Sequence, residues 1–558
     1  MASLVGLLGL GACAPSDAPA DTIFVGDNIV TMDPARSSAE AVAVRGETIV
    51  AVGTREDVMA LLGDQTRVVE LGGRALLPGF IDAHGHFTGA GDALRSLGLH
   101  PPPVGDVENI DDLVGKVRRW IDDHDIPPGE AVMGRGYDDA LLAEGRHPTR
   151  FDLDRISTEH PIVLTHVSGH LRAVNSKALE VSGITAATDD PPGGHIRRVA
   201  GSREPNGVLE ERAGRLIDTG PQQEQTQEDL DELVRASIDV YLGYGTTTIQ
   251  NGGGTSPDMI RALRAVAARE PLHADLAVFS SADGILSNEV HYEPGYSNGM
   301  RVAGVKFVLD GSPQGRTAWV TQPYDEGPPG APADYTAYGT MDPDEYKTKA
   351  AALIQRGVPY LAHANGDAAM DLMIEGVREG VAGMTPMPDH RSVIIHAQLM
   401  RADQLDEAAE LGIVPSFFSA HAFFWGDWHR RSFGEERASN ISPVRWAIDR
   451  GVHFTVHNDA SVVPPDIMRL VSITVNRKTR SGYVLGPDQR ATVMEALNAV
   501  TLGAAYQYFE EDTKGSITVG KQADLVILGE NPLTADVGAL ADIPIVETFS
   551  RGRSVFTR

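Results

Sequence analysis

Leu77-Pro78-Gly79-Phe80-Ile81-Asp82-Ala83-His84-Gly85-His86 is the stretch on which the fold turns. An apolar run leads straight into a carboxylate and two histidines separated by one residue. On an extended chain, residues i and i+2 point to the same side, so His84 and His86 can grip one cation, and imidazole nitrogens suit zinc. A lone His-x-His is weak evidence. Its position immediately behind a strand-like run and Pro78-Gly79 gives it weight.

Downstream, similar short apolar runs recur: Thr246 to Gln250, Ala274 to Phe279, Val302 to Val308, Val358 to His363, Val393 to His396, Gly412 to Ser416 and His453 to His457. Helical patterns fill most of the gaps, as in Leu230 to Leu242, Ser256 to Ala268, Asp344 to Arg356, Ala368 to Glu379, Arg401 to Leu411 and Pro443 to Arg450. Alternating β and α units predict a parallel sheet, and with Leu77 to Asp82 the count reaches eight. The expected fold is therefore α/β, a (β/α)8 TIM barrel, with its active site at the C-terminal ends of the strands.

Both ends of the chain read differently. Thr22 to Leu71 consists of short β-runs and turns, and Ser516 to Val519, Asp524 to Ile527 and Ile545 to Phe556 repeat that pattern. Neither end holds enough strands for a core alone, which predicts a small β-sandwich domain assembled from both. The expected division is 1–20 signal and tether, 21–76 the N-terminal segment of the β-sandwich, 77–505 barrel, and 506–558 the C-terminal segment of the β-sandwich. An insertion at about 87–244 grows from the rim after the first strand, since this interval is too long for one crossover helix.

Composition narrows the function. The 558 residues include 48 Lys and Arg against 77 Asp and Glu, a formal charge of −29, which argues against nucleic-acid or anionic-membrane partners. A small-molecule substrate is expected, and a homo-oligomer is compatible with the sequence. The single cysteine, Cys13, excludes an intrachain disulfide and any cysteine ligand in the barrel. The apolar run Leu4 to Ala12 before Cys13 resembles a bacterial lipoprotein signal, followed by a flexible tether from Ala14 to Asp21. That implies a cell-envelope location, lipoprotein or periplasmic, with a lipid anchor at Cys13. No Lys or Arg precedes the run, however; if the segment is only a frayed terminus, the protein is cytoplasmic.

Leu77 to His86 resembles the first-strand signature of the amidohydrolase superfamily, and Gly515-Ser516-Ile517-Thr518-Val519-Gly520-Lys521-Gln522-Ala523-Asp524-Leu525-Val526 is similar to the segment with which those proteins return to their β-sandwich. Within the superfamily, the likeness is to the YtcJ-like amidohydrolase 3 family, from about Thr22 to the C-terminus. The resemblance implies further metal ligands from strands four, five, six and eight. Lys306 sits inside an apolar strand, where an uncompensated ammonium is costly; the resemblance makes it a carboxylated lysine bridging two metals. His363 and His396 end strands five and six and complete the shell. Asp459, after strand eight, binds metal and takes a proton from the attacking water. The implied cofactor is Zn2+, as one or two divalent cations.

Three further residues carry expectations. His170, in Val167-Ser168-Gly169-His170, resembles a family segment that reaches the pocket, where it would polarise a carbonyl or hold a substrate anion. Arg316 would bind a substrate carboxylate or pair with a local acid. Trp425, in Phe423-Phe424-Trp425-Gly426-Asp427-Trp428, would wall the substrate pocket or pack within its aromatic loop. The expected enzyme is a metal-dependent amidohydrolase cleaving a linear amide, N-acyl or N-formyl amine. Ester or cyclic-amide hydrolysis, a metal-dependent decarboxylase or isomerase, and a non-catalytic binding lipoprotein stand as alternatives.

Overall fold

The structure is a computed structural model that describes residues 18–219 and 226–558. Cys13 and the apolar run before it lie outside the described residues. The described end of the expected tether is docked: Ala20 is buried and donates its N–H to Leu61 O, while Arg45 Nε donates to Pro19 O.

All eight anticipated barrel strands are present: Phe80–Ile81, Thr246–Thr255, Asp275–Ser280, Met300–Val308, Tyr360–Ala364, Val393–His396, Val414–Phe417 and Thr455–Val456. They pair in parallel in sequence order. A parallel bridge between Gly85 and Ala460, with Asp459 N–H donating to His84 O, joins the first strand to the eighth. The seam that closes the (β/α)8 barrel thus runs through the backbone of His84 and Asp459. Ile81, Ala83, Ala277, Phe279, Ala303, Leu361, Ile395 and Val414 pack in one buried cluster within the barrel, and amphipathic helices such as Pro257–Arg269 and Asp367–Val381 cover its outside.

The first strand is shorter than expected because the apolar run serves two sheets. Ala75–Pro78 pairs antiparallel with Leu525–Leu528, and the barrel takes over only from Phe80. The change occurs at Gly79, where a Cβ would lie 2.5 Å from Thr247 Oγ1, so only glycine lets the chain cross there.

Both termini contribute to one eight-stranded sheet. Two strands separate Thr22–Asp33 from Ile545–Ser550 in the pairing order, yet Phe24 and Phe549 meet edge to face at 5.0 Å. The sheet therefore curls over a shared apolar core. Ser516 to Val519, expected as a strand, is a turn in which Lys521 N–H donates to Thr518 O. Tyr508, placed by sequence with the terminal sheet, packs in the barrel cluster and donates its hydroxyl to Asp82 O.

The segment after the first strand builds its own six-stranded sheet, from Leu97–Gly98 to Pro205–Glu211. Its apolar core includes Leu99, Leu113, Val117, Val132 and Leu164. This sheet lies beside the barrel mouth and supplies part of its cavity wall.

Candidate metal centre and active site

His84 leaves the first barrel strand fully buried, and its orientation is fixed from behind. Gln250, inside the second strand, donates Nε2 to Ala83 O and turns Oε1 to His84 Nδ1 at 2.5 Å. A carbonyl only accepts, so the amide must present oxygen to the ring and Nδ1 must carry the proton. His84 Nε2 then offers its lone pair inward, 2.9 Å from Lys306 Nζ and 3.5 Å from Asp459 Oδ1. Such an outer partner is what a metal-binding histidine requires. Gly252 makes room: a Cβ there would lie 2.2 Å from Gln250 Oε1 and 2.5 Å from the His84 ring.

His86, half exposed, brings Nε2 to 3.1 Å from the same Asp459 oxygen. Donor atoms of His84, His86 and Asp459 all lie within 4.8 Å of one another. Asp459 Oδ1 is buried yet accepts no aligned hydrogen bond, the condition of an oxygen shaped for a cation. Burial would raise the Asp459 pKa, but the surrounding imidazoles, His86 first and then His84 and His457, outweigh it and hold the carboxyl below the usual carboxylate range.

On the other side of the mouth, His363 Nε2 faces Gly311 O at 2.9 Å, which leaves Nδ1 free of a proton. That Nδ1 lies 2.9 Å from His396 Nε2. Burial drives the pKa values of His84, His363 and His396 well below the usual value, keeping them neutral as ligands must be. Burial also lowers the Lys306 pKa to about 7 against the pull of Asp459. His396 and Asp459 have φ of 80° and 53°, left-handed backbone that a non-glycine residue adopts at a cost, as functional residues often do. This donor set fits divalent cations.

These groups open into a cavity of about 390 Å³ whose far wall carries His170. Its Nδ1 pairs with Glu211 Oε2 at 2.8 Å, and its ring lies 4.8 Å from that of His363. Burial opposes its protonation, but Glu211, aided by Asp310 and Asp459, outweighs this and raises the His170 pKa.

For two candidate substrate residues the structure takes the local-packing alternative. Trp425 is buried, away from the cavity wall, and donates Nε1 to Asp138 Oδ2 at 2.6 Å. Arg316 is spent on Glu326 at 2.6 Å, Gly327 O and Ser432 Oγ, and its guanidinium lies over Trp428, so it pairs with a local acid. Sequence reasoning also passed over residues that hold the site together. Gln250 was hidden in a strand already rich in threonine, Thr246–Thr255, where one more polar residue stands out little. His457, whose Nε2 lies 3.1 Å from His396 Nδ1, stands only two positions before Asp459, the one signal that could have found it.

Comparison with known proteins agrees with this architecture. A model of the amidohydrolase family matches residues 67–556. The N-substituted formamide deformylase of Arthrobacter pascens is 28% identical over 549 residues, covering 95% of this chain and 97% of that protein. The putative amidohydrolase YtcJ of Bacillus subtilis is 25% identical, with 96% and 99% covered. An uncharacterized metal-dependent hydrolase from Pyrococcus horikoshii shares the fold, with a TM-score of 0.70 at 22% identity over 93% of this chain and 99% of its own. The chain belongs to the amidohydrolase family and is a metal-dependent hydrolase.

Proposed function

We propose that the enzyme hydrolyses the carbon–nitrogen bond of a linear amide, in particular an N-acyl or N-formyl amine. The convergence of His84, His86 and Asp459 beside Lys306, with His363 and His396 across the mouth, carries this reading. The likeness to a formamide deformylase along nearly the whole chain supports the substrate class.

The six residues would hold one or two cations, and the nitrogen-rich donor set favours zinc. When bound, such an ion supplies Lewis acidity, lowering the pKa of water toward about 7 and polarising a carbonyl. Lys306 would serve a two-ion centre once carboxylated: its neutral amine adds to carbon dioxide, the C=O π pair moves to oxygen and the nitrogen's proton passes to water, leaving an anionic carbamate that would hold metal. Its burial-lowered pKa makes that neutral form accessible. Asp459, kept ionised, takes the proton of the attacking water and passes it to the departing amine. His170, whose protonation Glu211 favours on the opposite wall, donates a hydrogen bond to the substrate carbonyl or to an anionic substituent.

The test is amine release from a panel of N-formyl and N-acyl amines, run beside matched esters and lactams. Turnover of the linear amides is expected. Turnover confined to esters or lactams would overturn the substrate class, and metal-loaded protein inert on all of them would point to decarboxylation or isomerisation.

A further inference from the structure

We propose that Asp139, His147 and His166 form a second divalent-cation site, of the zinc class and structural in role, within the inserted sheet. The proposal does not depend on the reading of the barrel mouth. Asp139 follows the strand Val132–Tyr137, His166 ends the neighbouring strand Ile162–His166, and His147 comes from the loop between them. All three are buried, and their donor atoms lie within 4.8 Å of one another.

Asp139 Oδ2 lies 3.3 Å from His147 Nε2, and Asp139 Oδ1 lies 3.0 Å from His166 Nε2. Despite that approach, neither Asp139 Oδ1 nor His166 Nε2 makes an aligned hydrogen bond. Buried polar atoms without partners are rare, and two facing each other call for a ligand between them. The opposite nitrogen of each ring already has a hydroxyl: Tyr137 Oη lies 3.1 Å from His147 Nδ1, and Ser168 Oγ lies 2.8 Å from His166 Nδ1. With its Nδ1 proton on Tyr137 Oη, His147 turns its Nε2 lone pair to the carboxylate; His166 Nδ1 also meets Ser168 N–H at 3.2 Å, so an ion at His166 Nε2 has to displace the proton held there.

Asp138 supplies a fourth oxygen, with Oδ1 4.0 Å from His166 Nε2. The nearby Arg197 is occupied by Glu210, so it does not neutralise Asp139 by contact. A cleft of about 1090 Å³ lined by Asp139 and His147 gives an ion its path in. His166 also borders the cavity at the barrel mouth, only four residues before His170. An ion here would anchor the loop that delivers His170.

Anomalous scattering on either side of the zinc edge, from crystals of the full chain with zinc as the only added metal, tests the proposal. It predicts a peak enclosed by Asp139, His147 and His166, apart from any peak at His84, His86 and Asp459. Peaks confined to the barrel mouth, with His166 Nε2 hydrogen-bonded to Asp139, would overturn it. Zinc retained after gel filtration gives a second reading in solution. The double variant His86→Ala and Asp459→Ala should keep one zinc per chain and lose it when His147→Gln is added; an unchanged count on that addition would overturn the proposal.

Discussion

The barrel mouth and the inserted sheet both gather histidines and carboxylates, but by different routes. At the mouth, donors from residue 84 to residue 459 meet because strands spread along the chain end at one rim. In the insertion, Asp139, His147 and His166 come from a short local stretch and meet because two adjacent strands run in parallel. The first arrangement follows from a repeated pattern, whereas the second depends on one loop that no pattern fixes. A barrel therefore advertises its site in sequence, and an insertion conceals its own.

The largest effect expected at the mouth comes from Asp459→Asn, which should lower kcat/KM on an N-formyl amine by about 10³-fold, since a proton-transfer group is removed. A steady-state assay that found less than a tenfold loss would remove Asp459 from the chemistry. Next is Glu211→Gln, with a loss of about 10²-fold if His170 works as a proton-bearing group. Glu211 stabilises the imidazolium, so its neutralisation lowers the His170 pKa. The alkaline limb of the pH–rate profile should accordingly move to lower pH, and a stationary limb would leave the pair a purely structural role.

Stability measurements sharpen the same contrast. Gly252→Ala pushes a methyl group into Gln250 and His84, and should cost about 3 kcal/mol in denaturant unfolding while weakening zinc retention. Trp425→Phe removes the donor to Asp138 and should cost about 2 kcal/mol, the value of a buried hydrogen bond to a charged group. Because Trp425 lies off the cavity wall, KM should stay as it is; a marked rise in KM would return Trp425 to the substrate pocket.

Much of the fold was legible in the sequence because the barrel strands are short apolar runs, and the donors His84, His363 and His396 sit where those runs end. Less visible was the double use of Ala75 to Ile81, since an apolar run does not say which sheet each half joins. Arg316 and Trp425 kept two readings in the sequence, substrate contact or local packing, for a related reason. Their partners, Glu326 and Asp138, are set by loop packing, and a polar tip in a loop looks the same in sequence whether it faces substrate or a neighbour. Gln250 lacks a local signal because its task, fixing the His84 proton, exists only once the first two strands pair.

Metal dependence is measured by stripping the enzyme with a chelator and adding zinc back stepwise while following amine release from an N-formyl amine. Activity should disappear on stripping and return as zinc is restored in the wild type, but not in Asp459→Asn. Full activity in the stripped enzyme would contradict that dependence.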